Sequence, residues 1–98
     1  MRVFVVADAQ TVLAFALAGV RGQVAGSPEE VPDILEGIDH RETGLVLITE
    51  ALAQANRSVV AKMLLEPDGP LVLEIPDATG PMAGRAKAAE RIASLLKH

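Results

Sequence analysis

Three polar side chains stand at the ends of predicted strands, where a parallel sheet would bring them to one edge. Asp8 follows the apolar run VFVVA, Thr49 ends the run GLVLIT, and Glu74 lies near the end of LVLEI. The carboxyl edge of a parallel sheet is where ligands usually bind in α/β proteins. A carboxylate pair with a hydroxyl could hold a divalent cation or take part in acid/base chemistry. The first hypothesis is therefore a small-ligand or metal site around these residues.

A phosphoacceptor receiver site needs more than these residues supply. It requires an acidic cluster, an acceptor aspartate and a lysine, which together neutralise a metal and an acyl phosphate. Asp8 is a single acid, Thr49 stands at the acceptor position, and LVLEIP contains no lysine. A dinucleotide site is also disfavoured, because Ala7 and Ala9 flank Asp8 where a glycine-rich turn would be needed. A receiver-like or small-ligand regulatory domain stays open as the alternative.

The serine and histidine residues give little support for a hydrolase. The serines and histidines show no spacing typical of a catalytic triad or a metal site, and capping or surface roles are favoured for Ser27, Ser58, Ser94, His40 and His98. Alternation along the last strand places Glu74 with Val72, opposite Leu71 and Leu73. A half-buried Glu74 could act as a general base, but a charge that protects an edge strand or meets a partner is favoured.

Composition excludes several classes of function. The 98 residues carry a formal net charge of −4, contain only two aromatic residues and lack cysteine. A basic nucleic-acid footprint, disulfides and thiolate metal centres are thereby disfavoured or excluded. No apolar stretch has the length of a membrane span, and the first ten residues lack the pattern of a signal peptide. We expect a chain that needs no cofactor and stays in the compartment where it is made.

Start and stop signals divide the chain into alternating strands and helices. Asp8 is predicted to cap a first helix that Gly19 ends. Ser27, Pro28 and Glu30 form the start of a second helix, with Ser27 as N-cap. Thr49 is expected to cap one continuous helix over residues 50–66. Its apolar face is predicted to contain four residues: Leu52, Ala55, Val59 and Met63.

This alternation predicts an α/β fold. The order βαβαβαβα indicates a four-stranded parallel sheet with strand order 2-1-3-4, in three layers with Rossmann-like or receiver-like topology. We interpret residues 1–98 as a single domain with an α/β body over 1–76, a hinge loop over 77–81 and a C-terminal helix over 82–97. Pro76 is predicted to end the last strand, and Gly80 with Pro81 to redirect the chain into that helix.

The predicted C-terminal helix differs in charge from the rest of the chain. Residues 84–98 contain four basic residues and one acid, so their net charge is +3. The net charge of the whole chain is −4, so the first 83 residues have a net charge of −7. Its apolar side is rich in alanine, which permits close helix packing. That side can serve the domain's own core or a partner helix. The residues proposed for a partner are Arg85, Lys87, Ala89, Arg91, Ile92, Leu95 and Leu96.

Short motifs along nearly the whole chain resemble the F subunit of V-type and A-type rotary ATPases. Asp8, Thr11 and Phe15, followed by LAGV, are similar to the family's opening segment. GLVLITEALA resembles its middle strand and helix entry, and LEIP followed by a later Gly-Pro resembles its last strand and loop. Ala7 and Ala16 depart from the family, which commonly has glycine and a basic residue there.

The resemblance implies a mechanical function without catalysis. A member of this family sits in the central stalk beside the coiled-coil D subunit, rotates with it, and helps couple ATP turnover in the A/B headpiece to ion transport through the membrane ring. The implied location is cytoplasmic and peripheral to the membrane. ATP, magnesium and the translocated ion would belong to other subunits. Arg85, Lys87 and Arg91 are then expected to face acidic residues of D.

Overall fold

The computed structural model describes residues 2–76, in which four strands alternate with helices. The strands are β1 (Arg2–Ala7), β2 (Arg21–Val24), β3 (Thr43–Thr49) and β4 (Leu71–Ile75). The α-helices are α1 (Ala9–Leu17), α2 (Val31–Gly37), α3 (Glu50–Ala55) and α4 (Arg57–Leu64). The predicted helix over 82–97, the hinge loop, Gly80 and Pro81 lie outside the described residues.

The sheet has the predicted topology. All pairings are parallel, and the strand order is β2-β1-β3-β4. β1 and β3 form the centre, where Val5, Val6, Val46, Leu47 and Ile48 are fully buried. Strands that are covered on both faces need apolar residues in succession, which explains the unbroken runs in the sequence. The α/β prediction is confirmed.

The ends of α1 are set by side-chain and backbone capping. The Asp8 side chain accepts a hydrogen bond from the Thr11 backbone N–H, as expected of an N-cap. Gly19 has a φ of +88° at the other end. The Val20 and Gly19 N–H groups donate to the Phe15 and Ala16 carbonyls, a Schellman motif that a non-glycine residue would strain. Both predicted signals are confirmed.

The second helix begins with a 3₁₀ turn, which was not predicted. The capping box of Ser27 and Glu30 is present, and the Ser27 N–H donates to Glu30 Oε2 at 2.7 Å. Its first turn, Pro28–Glu30, is a 3₁₀ turn, and the α-helical part starts at Val31. Such a tightened first turn is common at helix ends.

The prediction of one continuous helix after β3 is wrong. Asn56 separates α3 from α4 with φ −129° and ψ 38°. Its buried Nδ2 donates to the carbonyls of Pro28 at 3.0 Å and Leu52 at 2.9 Å. Because this amide satisfies a carbonyl of the α2 entry as well as one of α3, the tertiary contact compensates the interrupted helix. Ala55, predicted on the apolar face, is exposed, and Ala53 is buried in its place.

The prediction of a side-chain cap by Thr49 is also wrong. Thr49 occupies the N-cap position of α3 with extended backbone, but its side chain makes no capping hydrogen bond. The residue is buried at the end of β3. Its backbone therefore starts the helix without help from the hydroxyl.

Two apolar clusters cover the two faces of the sheet. The larger one joins Val6, Val46 and Ile48 to apolar residues of α2, α3 and α4. The smaller one joins Val5 and Leu47 of the strands to Phe15 of α1. Val12 of α1 packs against it. One face therefore carries three helices and, within residues 2–76, the other carries α1.

Candidate interaction surface

The carboxyl edge of the sheet contains Asp8, Thr49 and Glu74, but the structure gives Asp8 a local partner. The Thr11 hydroxyl donates to Asp8 Oδ1 at 2.7 Å, and the Thr11 backbone N–H donates to Oδ2 at 3.2 Å. Both carboxylate oxygens therefore bind the first turn of α1. This arrangement is that of a structural cap.

Glu74 is exposed. The general-base hypothesis required it to be half-buried. It lies on β4, which is an edge strand, at the level of Ile48 on β3. Val72, its neighbour on the same side, packs against the larger apolar cluster. An exposed charge on an edge strand opposes pairing with another strand. Pro76 follows directly after β4 and is also exposed.

The remaining sequence candidates occupy scattered positions. Ser27 belongs to the capping box, Ser58 is exposed on α4, and His40 lies between α2 and β3. Within residues 2–76, no group of three or more His, Cys, Asp or Glu side chains is arranged to hold a metal ion. Ser94 and His98 lie outside the described residues.

One exposed apolar surface of the described residues is the outer side of α1. Leu13 and Leu17 are four residues apart, so they share one side of this helix, and they are 62% and 84% exposed. Phe15 is buried on the inner side against the sheet. A helix on a protein surface normally has polar and charged residues on its outer side. We name the outer side formed by Leu13, Ala14 and Leu17 the α1 ridge.

Charge is absent from this whole region of the sequence. No Asp, Glu, Lys or Arg occurs between Asp8 and Arg21. The ridge therefore lies on a helix that presents no ionic group of its own to solvent. An exposed apolar surface of this kind is a candidate for contact with another part of the chain or with another molecule.

Sequence reasoning places the partner surface elsewhere and misses the α1 ridge. It assigns partner binding to seven residues of the predicted C-terminal helix: Arg85, Lys87, Ala89, Arg91, Ile92, Leu95 and Leu96. Those seven residues lie outside the described part of the chain. The uncharged stretch from residue 9 to residue 20 is a signal that could have identified the ridge.

A cavity of about 780 Å³ lies at the opposite, amino edge of the sheet. It is lined by the starts of β1 and β2, by the residues that follow α1, and by α2 with the segment between α2 and β3, including Phe4, Gly19, Ile38 and Asp39. Arg2 at its rim forms an ion pair with Glu42 at 2.8 Å. Both side chains of this pair are largely exposed, so the pair contributes little to stability.

Comparison with known proteins identifies the family. The family model described as ATP synthase (F/14-kDa) subunit matches residues 3–92, which is most of the chain. The chain belongs to this family of ATP synthase F subunits. The resemblance carried by DxxT, LAGV and LEIP is thereby confirmed.

Relatives from archaea agree with this assignment. The chain is 32% identical to the F subunit of the A-type ATP synthase of Methanothermobacter thermautotrophicus, with 79% of this chain and 74% of the relative covered. It is 34% identical to the F subunit of Thermococcus kodakarensis and 36% identical to that of Pyrococcus furiosus, each over 86% of this chain and 82% of the relative. The chain is thus a homologue of the F subunits of V/A-type ATP synthases.

The helices of the described part are too short or too polar to cross a bilayer. The longest of them, α1, has nine residues. A transmembrane helix needs about 20 residues.

Proposed function

We propose that this chain is the non-catalytic F subunit in the central stalk of a V-type or A-type rotary ATPase, where it binds the coiled-coil D subunit. Together with D it would help couple ATP hydrolysis or synthesis in the A/B headpiece to ion transport. The observation that carries the proposal is the α1 ridge, an uncharged and exposed helix face in a member of the family of ATP synthase F subunits. Such a face is suited to a helical partner.

The geometry of the ridge fits a coiled coil. Leu13 and Leu17 project from the same side of α1, and the small Ala14 beside them allows a partner helix to approach closely. Removing both leucines from water would contribute about 1.5 kcal/mol each at the lower end of the usual range. That contribution is sufficient to make the ridge a main energetic centre of a D–F contact.

The predicted C-terminal helix supplies a second, electrostatic contact in this proposal. Arg85, Lys87 and Arg91 would face acids on D, while Ala89, Ile92, Leu95 and Leu96 would pack against its helices. Charges at the rim of an interface mainly speed association and set its salt dependence. The ridge and the basic helix therefore make separable contributions, one apolar and one salt-dependent.

The proposed place of the chain in the complex is the one that membership of the F-subunit family implies. The chain would rotate with the stalk on the cytoplasmic side, peripheral to the membrane, and also contact the A/B headpiece and the connector between stalk and ring. Nucleotide, magnesium and the transported ion would bind to other subunits, and no cofactor is assigned to this chain. The purified chain is therefore expected to hydrolyse no ATP by itself, measured as phosphate release.

The direct test is binding to a D-type subunit. The affinity of the Leu13→Asp/Leu17→Asp double variant for D is measured by calorimetry beside that of the unmodified chain. We expect affinity to fall about 100-fold, the equivalent of about 3 kcal/mol. The matched control is Leu64→Asp/Leu65→Asp, which places the same charges on two other exposed leucines at the end of α4. An equal loss in both double variants, or in neither, would contradict the role of the ridge.

The electrostatic contact has its own test. Reversing Arg85, Lys87 and Arg91 to glutamate is expected to slow association with D and to reduce its dependence on salt concentration. Stopped-flow association rates over a range of salt measure both quantities. An unchanged rate and salt slope would remove the basic helix from the proposal while leaving the α1 ridge intact.

A further inference from the structure

His40 has a hydrogen-bond acceptor at each ring nitrogen. Its Nε2 lies 2.8 Å from the carbonyl oxygen of Leu35, which belongs to α2. Its Nδ1 lies 2.9 Å from Glu66 Oε2, in the segment between α4 and β4. The ring thus connects the segment between α2 and β3 to the segment between α4 and β4, and the two residues are 26 positions apart in sequence.

The chemistry of the two partners determines the protonation state that suits this geometry. A backbone carbonyl is an acceptor only, and an ionised carboxylate is an acceptor only. A neutral imidazole has a single N–H and can donate to one of them, which leaves a lone pair facing the other. The imidazolium donates to both, so the observed contacts are complete when His40 is protonated.

The groups around the ring favour the charged form. The hydrogen bond to the Leu35 carbonyl, followed by that to Glu66, raises the pKa of His40, although partial burial opposes this. Glu66 and Asp39 are the acids that act on it. Asp39 is itself held in place, because the backbone N–H groups of Arg41 and Glu42 donate to its Oδ1 at 2.9 and 3.2 Å. Those N–H groups hold the pKa of Asp39 below its usual value, so it stays ionised beside the ring.

The turn after α4 is shaped to place Glu66 against His40. Gly69 lies so close to Glu66 that an added Cβ would come within 2.7 Å of the Glu66 Cβ and 2.8 Å of Oε2. A contact with Cβ cannot be relieved by rotation of the carboxylate alone. Glycine at position 69 is therefore a condition for the position that the Glu66 side chain adopts.

We infer that His40 is a proton-dependent latch, which in its protonated form ties the segment between α2 and β3 to the segment between α4 and β4. The segment held by the latch also forms a wall of the amino-edge cavity through Ile38, Asp39 and Glu42. Loss of the proton removes one of the two hydrogen bonds and loosens that wall. The latch shares no residue with the α1 ridge, so it is tested without reference to D.

The first experiment follows the titration of His40 by NMR in the full chain. His98→Gln removes the only other histidine and leaves a single imidazole signal. We expect the His40 midpoint in the folded chain to lie above its midpoint in urea. Glu66→Gln keeps a hydrogen-bond acceptor but removes the charge, and it should lower the folded midpoint, as should Gly69→Ala. A folded midpoint equal to or below that in urea, or one unchanged by Glu66→Gln, would overturn the latch.

The second experiment detects the conformational consequence. The Thr43 backbone N–H donates to the Asp39 carbonyl at 2.9 Å within the latched segment. Its amide protection factor, corrected for intrinsic exchange, should fall about fivefold as pH rises through the His40 midpoint, the factor that corresponds to about one hydrogen bond. His40→Gln should give low protection at every pH. Protection of Thr43 that is independent of pH in the unmodified chain would refute the inference.

Discussion

The two faces of the sheet bury their helices to different degrees. On one face, α2, α3 and α4 enclose a cluster that includes Leu35, Ile48 and Met63, all buried. On the other face, α1 buries Phe15 beneath it and exposes Leu13 and Leu17 above it. The same residue type, leucine, is thus 2% exposed in α2 and 84% exposed in α1.

Because of this difference in burial, we expect one face of the sheet to determine the stability of the fold and the other to take part in the proposed binding. The enclosed face loses free energy whenever its packing is disturbed, because native cores leave few voids. The α1 ridge makes little contribution to the isolated fold, because its leucines remain in water. Exposed apolar residues are candidates for contact with a partner, which is the role proposed above for the ridge. Variants that affect only one of the two properties would establish the separation.

The largest expected effect comes from truncating one leucine on each face. Leu35→Ala removes a buried side chain and leaves a cavity, so the free energy of unfolding should fall by about 3 kcal/mol. Leu17→Ala makes the same chemical change in water and should alter it by less than about 0.5 kcal/mol. Urea denaturation measures both. Similar losses in the two variants would show that the α1 ridge is part of the core.

Asn56→Ala is expected to have the next largest effect. The side chain donates to two carbonyls, those of Pro28 and Leu52, and Asn56 is itself buried. Removing the donor leaves buried acceptors without a partner, which should lower the free energy of unfolding by about 2 kcal/mol. Gln54→Ala, an exposed position on α3, is the control and should change it little. A stabilised Asn56→Ala would mean that a continuous helix is preferred after all.

The two central strands are predictable because buried strands need continuous apolar runs, which VFVVA and GLVLIT display. Caps such as Asp8 and Gly19 are predictable because they act within a few residues. The break at Asn56 is not, since its cause is a hydrogen bond to Pro28, which is 28 residues away. The α1 ridge escapes prediction because helical spacing cannot tell which of several apolar sides faces the sheet. The His40 latch likewise depends on tertiary proximity to Glu66.

A smaller effect is expected at the start of α1. Asp8→Ala removes the acceptor for Thr11 and should lower the free energy of unfolding by about 1 kcal/mol. Asp8→Asn retains an acceptor and should recover most of the loss. Because α1 presents the ridge, Asp8→Ala should also weaken binding to D modestly, which calorimetry would detect. Full recovery of stability without any recovery of binding in Asp8→Asn would indicate that the charge itself contacts the partner.

The last expected effect, similar in size, is a pH dependence on the face of the sheet that carries α2, α3 and α4. The pKa of His40 is raised in the folded chain, so the native state holds its proton more tightly than the unfolded state. The stabilisation is therefore complete below the unfolded value of about 6.5 and is lost as pH rises through the higher folded pKa. We expect the free energy of unfolding to exceed that of His40→Gln by about 1 kcal/mol at a pH of about 5.5, with the two converging at alkaline pH. Amide exchange should locate the change at Thr43 and leave unaffected the amide of Val12, which donates to the Asp8 carbonyl in the first turn of α1. A pH response of equal size at Val12 would mean that the two faces are energetically coupled, and binding to D would then vary with protonation of His40.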